Sequence, residues 1–226
     1  QGEYIAWLDA DDQWEVQFLQ RMVTTLEASP YANAVYCGFR YMDANGKLLR
    51  KSVSRVVAPE HFRAKLMKMS WLSPCEVVAQ KTALQAVGGF DPALFGLEDY
   101  DLWLRMSEKF LFIGIPDVLV RYRQTGRGLM SNVQQMFLSL AQVAERHTGP
   151  VTGPPETWTA AQRSMYMRAH KFAAVGYTEQ GDLGTAVPHL QQVLRIFPEK
   201  ASDLDLWYML ACAHQPMGVR GEFSTL

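Results

Sequence analysis

Three carboxylates that follow an apolar segment are the first residues in this chain whose types and spacing suit chemistry. Residues 4–8 are aromatic, β-branched or otherwise apolar, and Asp9, Asp11 and Asp12 come directly after them. An Asp-x-Asp pair can bind a divalent cation through its oxygens, and the cation can in turn hold a diphosphate. Asp12 also precedes apolar residues at helical spacing, which is typical of a helix N-cap. This stretch alone leaves a metal site and a helix cap both open.

A second pair of acids, Glu98 and Asp99, opens a predicted helix that runs to about Phe110. Acidic side chains in the first turn stabilise a helix through its dipole, so capping alone is enough to explain them. Further along this helix, Trp103 is predicted to lie in the core. Arg105 suits either a phosphate contact or a structural ion pair, and the sequence leaves both open.

The elements that must position these acids indicate an α/β fold. Residues 4–8 lack clean alternation, which predicts a central strand covered on both faces. In open α/β sheets ligands bind beyond the carboxyl ends of the strands, where Asp9 and its neighbours lie. Further strands are predicted at 34–42, 47–50, 75–79, 111–113 and 118–123, and helices at 13–28, 61–69, 81–87, 98–110 and 131–147.

Composition narrows the class of protein. The 226 residues, of which 48% are hydrophobic, are enough for a sizeable core and for one large or two small domains. A net charge of −1 argues against a general nucleic-acid binder. The three cysteines are widely separated, which favours a reducing compartment and predicts a cytoplasmic protein. No apolar run approaches the roughly 20 residues of a membrane span, so any membrane association would be peripheral.

Segment 148–155 combines two glycines with three prolines and is predicted to be a linker. It would separate a first domain, 1–147, from a helical extension, 156–226. Within that extension, helices are predicted at 156–180, 185–197 and 202–213. The chain begins at Gln1, directly before a predicted core strand and without an initiator Met, so we expect it to be a fragment of a longer protein.

With both acidic clusters placed, residues 1 to about 132 resemble the family 2 glycosyltransferases, which have the GT-A fold and transfer sugars with inversion. The resemblance rests on four motifs, whose order and spacing together are specific: Gly-Glu-Tyr-Ile-Ala-Trp-Leu-Asp-Ala-Asp-Asp-x-Trp at 2–14, Val-Gly-Gly-Phe-Asp at 87–91, Glu-Asp-Tyr-Asp-Leu-Trp-Leu-Arg at 98–105, and Tyr-Arg at 122–123. It implies a partial GT-A domain, a Rossmann-like mixed sheet with flanking helices, followed by an all-α extension.

The resemblance implies a site for a nucleotide-sugar donor. Asp11 matches the family's cation ligand, for Mn²⁺ or Mg²⁺, and Asp9 lies nearer the ribose while sharing the metal site. Asp12 and Arg123 are further candidates for contact with the bound nucleotide. The cation would neutralise the negative charge that builds on a diphosphate leaving group.

The resemblance also implies a site for an acceptor, a saccharide or another hydroxyl compound. Asp99 matches the family's catalytic base, which takes the proton of the acceptor hydroxyl as its oxygen attacks the anomeric carbon. Glu98 would orient Asp99 or contact the acceptor. Loops 71–74 and 91–97 are expected to shape the acceptor site.

Two departures from the family pattern bear on the donor site. Members often carry a His shortly after the Tyr-Arg pair, and Thr125 stands there in this chain. A hydroxyl is a poorer cation ligand than an imidazole, so Arg123 or Arg127 would have to compensate electrostatically. The family's first strand and base-binding loops also precede the position of Gln1, so much of the nucleotide pocket is expected to be missing.

The predicted C-terminal helices resemble a tetratricopeptide-type helix pair, which suggests a protein partner for this region. A helical extension packed on the first domain is the alternative, because about three such repeats are needed for an independent solenoid. The residues at the repeat's spacing are Ala174, Tyr177, Ala186, Leu190, Val193 and Pro198.

Three other functions compete with a sugar transferase. A non-catalytic scaffold would bind a partner through the helical extension and keep the transferase half as a remnant. A haloacid dehalogenase-type phosphatase also uses Asp-x-Asp after an apolar strand, but Gln13 stands where that family has Thr or Val. A retaining glycoside hydrolase pairs two carboxylates as acid and nucleophile, which requires a different fold context.

Overall fold

The structure, a computed structural model, describes residues 2–124 and 132–199. The chain divides into two compact units, Gln1–Gly128 and Leu129–Leu226. Thr125, Arg127 and the helix predicted at 202–213 lie outside the described residues.

The first unit is built on a mixed sheet with flanking helices, so the predicted α/β class is confirmed. Strand order is β1-β5-β3-β6-β2, and β4 also pairs with β3. The β3–β6 pair is parallel, and the other described pairs are antiparallel. The strands are β1 (Tyr4–Ala6), β2 (Gln13–Trp14), β3 (Ala34–Met42), β4 (Leu48–Val53), β5 (Val77–Gln80) and β6 (Phe112–Arg123), and the helices are α1 (Phe18–Glu27), α2 (Pro59–Lys68), α3 (Lys81–Ala86) and α4 (Glu98–Met106).

Strand β3 is the centre of this sheet and is covered on both faces. On one face, Val35 and Cys37 share a buried cluster with Phe18 of α1. On the other face, the Tyr36 ring packs against Phe62 of α2, with ring centroids 5.4 Å apart. A strand buried on both sides needs a nearly continuous apolar sequence, which is what β3 has.

Strand β1 is shorter and less central than predicted. It spans Tyr4–Ala6, is only half-buried, and lies at one end of the strand order within the described residues, where it pairs with β5. Beyond Ala6, the residues of the apolar run 4–8 are apolar for a reason other than strand pairing. The Trp7 ring leaves the sheet and packs edge-on against Trp103 of α4, at 5.4 Å between centroids.

The helix predicted at 13–28 is also wrong in its first turn. Gln13 and Trp14 form β2, and α1 begins only at Phe18 with Gln17 as its N-cap. The Trp14 indole N–H donates to the carbonyl of Cys75 (2.9 Å) and its ring stacks on Phe18 at 4.3 Å. These tertiary contacts override the helical spacing, and Asp12 is not the cap of α1.

The other differences in the first unit concern element boundaries. The predicted strands 111–113 and 118–123 are one long strand, β6, whose register against β3 shifts around Gly38. A 3₁₀ turn, Pro74–Glu76, occupies the start of the strand predicted at 75–79. A glycine turn follows α3, where Gly88 and Gly89 have φ of 84° and 68°, a region that favours glycine.

The second unit is helical in its described part, as predicted. It contains α5 (Val133–Thr148), α6 (Ala160–Gln180) and α7 (Leu183–Ile196); α5 packs on α6 and α6 on α7. Gly181, at φ 81°, ends α6, and the Asp182 side chain caps α7 by accepting from the Thr185 amide (3.1 Å). The domain boundary at 148–155 stays a prediction; the compact units divide earlier, after Gly128, and place α5 with the other two helices.

Helices within the described ranges are all too short or too polar to cross a bilayer.

Candidate active site

The loop after β1 carries the first acidic cluster and leaves Asp9 and Asp11 exposed. The amide of Asp12 donates to the carbonyl of Asp9 (3.1 Å), which closes a turn within the cluster. The pKa of Asp9 is raised, first by partial burial and then by the negative charges of Asp11 and Glu98. Glu98 belongs to α4, so the fold brings acids from distant parts of the sequence into electrostatic contact.

Asp99 lies in the first turn of α4, where it is partly buried. Its Oδ1 accepts a hydrogen bond from the amide of Tyr100 (2.6 Å). The pKa of Asp99 is raised to about 7, chiefly by burial and also by the charges of Glu98 and Asp9, while the Tyr100 amide opposes the shift. A carboxyl group that titrates near neutral pH suits a general base.

One acid from each cluster lines a cavity of about 470 Å³, a size typical of small-molecule sites, whereas Asp11 and Asp99 are not among its lining residues. Asp9 comes from the loop after β1, and Glu98 from the start of α4. Residues of both loops named from the sequence also line it, including Pro74 from loop 71–74 and Asp91 from loop 91–97.

The sequence analysis did not identify two aromatic residues that line this cavity. Trp7 and Phe90 line the cavity and contact each other edge-on, with ring centroids 5.8 Å apart. Trp7 looked like part of a buried strand. A signal for Phe90 was present, because Gly88-Gly89 is a tight turn and the residue after such a turn is held in a fixed place.

Of the two roles left open for Arg105, a phosphate contact and a structural ion pair, the structure shows the ion pair. Its guanidinium pairs with the buried carboxylate of Asp101 (2.7 Å) and donates to the backbone carbonyls of Val87 and Gly89. Helix α4, which carries Asp99, is therefore bonded directly to the glycine turn before Phe90. Trp103, predicted to lie in the core, is fully buried.

Asp12 is buried, with 7% of its surface exposed, unlike the two acids before it. Its Oδ1 accepts the backbone N–H of Arg123 (2.8 Å), which fastens the acidic loop to the end of β6. Burial is the main cause of its raised pKa, which the Arg123 amide and the Cys75 thiol oppose. Glu76 is buried nearby, and desolvation raises its pKa to about 8. The predicted cofactor contact of Asp12 stays a prediction, and its burial favours positioning the loop.

The Arg123 guanidinium binds backbone carbonyls from two loops. Its Nε donates to Asp11 (2.7 Å), and its Nη1 donates to Asp43 (3.2 Å) and Ala44 (2.9 Å). These bonds hold the acidic loop against the turn between β3 and β4. Contact of Arg123 with a nucleotide stays a prediction.

The donor set of the acidic loop fits a divalent cation. Asp9 and Asp11 offer carboxylate oxygens, the ligands that Mg²⁺ and Mn²⁺ prefer, and the charge that raises the pKa of Asp9 would be relieved by a cation. In the described part of the chain, no three or more His, Cys, Asp and Glu side chains are grouped to hold a metal by themselves. A cation held by only one or two carboxylates would need substrate phosphates and water to complete its shell.

Known proteins with similar sequences share this first part of the chain. Residues 1–150 match the model of the family described as glycosyltransferase like family 2. An uncharacterized glycosyltransferase of Methanocaldococcus jannaschii is 26% identical over 133 residues, which cover 56% of this chain and 43% of that relative. The chain thus spans less than half the length of this curated relative.

Among solved structures, a mannosyltransferase from Pyrobaculum calidifontis in complex with GDP-Man and Mn²⁺ is similar to this chain at 19% identity. The TM-score is 0.47, and the match covers 94% of this chain and 61% of that chain.

The matched region contains a mixed α/β sheet and a cavity lined by acids. Because the family model matches 150 of the 226 residues, the chain belongs to the glycosyltransferase like family 2. The family predicted from the four motifs is confirmed.

Proposed function

We propose that this protein transfers a sugar from a nucleotide-diphosphate donor to an acceptor hydroxyl, with inversion at the anomeric carbon. Asp99 is the general base, and a divalent cation bound at Asp9 and Asp11 assists. The observation that carries the proposal is that Asp9 and Glu98, from two sequence-distant acidic clusters, line one cavity, and that Asp99, next to Glu98, has a pKa raised to about 7.

In the proposed reaction the acceptor oxygen attacks the anomeric carbon while the bond from that carbon to the diphosphate oxygen breaks. Asp99 receives the hydroxyl proton late, when the oxygen has become acidic, and Glu98 beside it contacts the acceptor or orients the base. A single displacement of this kind inverts the anomeric centre. When bound, the cation would neutralise the charge that develops on the leaving diphosphate.

The chain's own residues support this arrangement through two fixed elements. Arg123 and Asp12 hold the acidic loop to β6, so that Asp9 and Asp11 are presented together. Arg105 bonds α4 to the glycine turn, which fixes the helix that carries Asp99. Such preorganisation lowers the entropy cost of reaching the reactive geometry.

A transfer assay with purified protein and nucleotide-sugar donors tests the proposal. Asp99→Asn keeps the size and the Tyr100 hydrogen bond but cannot accept the proton, so kcat should fall about 10²- to 10⁴-fold. Asp11→Ala should weaken Mn²⁺-dependent binding of nucleoside diphosphate, measured by calorimetry.

The control variant is Asp117→Asn, which removes an acid that pairs with Arg21 away from the cavity. It should leave both readouts unchanged. Full activity of Asp99→Asn, or equal nucleotide binding by Asp11→Ala, would contradict the proposal. A chain that binds no nucleotide at all would instead support the non-catalytic scaffold.

A further inference from the structure

The helical unit contains two potential metal ligands that the proposed transfer reaction does not use. His170 is on α6 and His189 is on α7, and their Nδ1 atoms lie 2.9 Å apart. Neutral imidazole is the commonest metal ligand in proteins and binds through either ring nitrogen. Two helices therefore bring two ligand atoms to nearly the same point.

We propose that His170 and His189 bind one divalent transition-metal ion through their Nδ1 atoms, and that this ion joins α6 to α7. The ligand is a cation that accepts nitrogen ligands at right angles, such as Ni²⁺ or Cu²⁺. The site uses different residues from the cation site proposed at Asp9 and Asp11, so the inference does not depend on the proposed function.

The distance between the two nitrogens favours this class of ion. Bonds from a metal to imidazole nitrogen are about 2.0–2.1 Å long, so two nitrogens at right angles around one ion lie about 2.9 Å apart. At the tetrahedral angle they would lie about 3.3–3.4 Å apart. The 2.9 Å between His170 and His189 matches the right angle, which is typical of the tetragonal shells of Cu²⁺ and Ni²⁺.

The same distance also suits a hydrogen bond between the rings, in which the Nδ1–H of one imidazole donates to the bare Nδ1 of the other. The two arrangements differ in the position of one proton, because a bound ion needs both Nδ1 atoms bare. In the donor ring that proton would move to Nε2, so both rings stay neutral and no proton is lost. A metal titration distinguishes the two arrangements.

Aromatic rings hold both imidazoles in place. Phe137 of α5 contacts the rings of His170 and His189, with centroids 5.2 and 4.6 Å away, and Tyr177 stacks on His189 at 5.9 Å. Burial lowers the pKa of both histidines, so both are neutral at pH 7 and neither repels a cation. Ligands that are already oriented bind an ion at lower entropic cost.

Water would complete the coordination shell. Among the described residues, no third His, Cys, Asp or Glu joins the pair to form a metal-binding group. Both histidines are only partly buried, so solvent can supply the remaining ligands. Structural metal sites are usually closed by four protein ligands, so we expect an exchangeable ion at this pair.

Isothermal titration calorimetry of the full chain with Ni²⁺, at neutral pH and in excess Mg²⁺, tests the inference without turnover. Mg²⁺ prefers oxygen ligands, so it competes for carboxylates and leaves imidazole to Ni²⁺. Ni²⁺ should bind, and His170→Gln and His189→Gln should each raise its dissociation constant at least about tenfold. The matched control His61→Gln, at an exposed residue of α2, should bind like the unsubstituted protein.

Two further measurements keep the test independent of how well the variants fold. Electron paramagnetic resonance of Cu²⁺ bound to the unsubstituted protein should show coupling to two imidazole nitrogens. Ni²⁺ should also raise the thermal unfolding midpoint of the unsubstituted protein, because it binds the folded unit, and should raise it less in His170→Gln. An equal rise in both proteins overturns the inference.

The remaining outcomes are equally decisive. The inference is overturned if the unsubstituted protein binds no Ni²⁺, or if both histidine variants bind it as tightly as that protein does. Loss of Ni²⁺ binding in Asp11→Ala, with binding kept in the histidine variants, would assign the ion to the acidic loop and overturn it as well. None of these results bears on the transfer assay, so the proposed function stands or falls separately.

Discussion

At the scale of single residues, Asp99 places an ionisable carboxyl group in an environment that disfavours its charged form. Burial and the neighbouring carboxylates raise its pKa to about 7, against an ordinary value of 3.8. Asp9 is more exposed, and its pKa is raised first by partial burial and then by the charges of Asp11 and Glu98. A base that holds its proton up to neutral pH is a stronger proton acceptor once it is ionised.

The raised pKa of Asp99 predicts how activity depends on pH. Only the ionised carboxylate accepts a proton, so log kcat/KM should rise with a slope of about one below pH 7 and level off above it. The measurement is a pH profile of transfer at saturating Mn²⁺. Asp117→Asn should keep the same profile, whereas an inflection near pH 4 would show that Asp99 does not titrate as its environment indicates.

At the scale of elements, α4 links the proposed base to the cavity wall through Arg105. The helix buries Tyr100, Leu102 and Trp103 and uses Arg105 to bond Asp101 and the turn before Phe90. Sequence alone left Arg105 open, because an arginine that contacts a phosphate and one that binds carbonyls have the same side chain.

Removal of Arg105 should therefore be costly. Arg105→Ala deletes an ion-pair partner of the fully buried Asp101 and the donor to two carbonyls, so the free energy of unfolding should fall by about 3–5 kcal/mol. Urea unfolding followed by tryptophan fluorescence gives this value. The control Arg21→Ala removes an exposed ion pair and should leave the free energy of unfolding nearly unchanged. A similar loss in both variants would contradict the structural role.

In the helical unit, α6 and α7 meet at a pair of histidines. The Nδ1 atoms of His170 and His189 lie 2.9 Å apart, and the Phe137 ring contacts both imidazoles. The pKa of His170 is lowered to about 4 by burial and then by His189, and burial also lowers that of His189. Both imidazoles are therefore neutral at physiological pH in the folded unit.

These histidines predict that acid destabilises the helical unit. The unfolded chain binds protons near pH 6.5 and the folded unit only near pH 4, so stability is complete above pH 6.5 and is lost as pH falls from 6.5 toward 4. The expected loss is on the order of 2 kcal/mol. Denaturation followed by circular dichroism at pH 7.5 and 4.5 measures it. The test variant His170→Gln should reduce this loss, whereas the control His61→Gln, at an exposed residue of α2, should not.

At the scale of the whole molecule, the unit to which helix α5 belongs bears on the predicted domain boundary. Its residues Val133, Met136 and Val143 are buried, and it packs on α6. The approach is close: a Cβ built on Gly176 of α6 would lie 2.4 Å from the Val133 side chain. The predicted linker 148–155 falls between these two helices, inside the compact unit that begins at Leu129.

This packing predicts the result of cutting the chain in the predicted linker. A protease site inserted at 150–153 should be cleaved, and the two fragments should then co-elute in size-exclusion chromatography, because α5 remains packed on α6. Gly176→Val in the same background should separate them, since its side chain collides with Val133. Separation of the fragments without that substitution would instead support a domain boundary at 148–155.

The sequence by itself determined the family, the α/β class, the two acidic clusters and most helices. These features are local or periodic: Asp-x-Asp after an apolar run, Glu98-Asp99 at a helix start, and glycines that end α3 and α6. Patterns of this kind depend on neighbours in the chain, so they are visible before the chain is folded.

Only the tertiary structure decided which strand is central and which residues form the cavity. Residues 4–8 and β3 are both apolar runs, but within the described residues β3 is the one with partners on both sides and helices over both faces, because pairing joins distant segments. The same reason explains the first turn predicted for 13–28, where Trp14 bonds Cys75 instead of continuing a helix. It also explains why the sequence did not show that Asp12 is buried and that the Phe90 ring is exposed. Both are properties of packing, which adjacent residues do not specify.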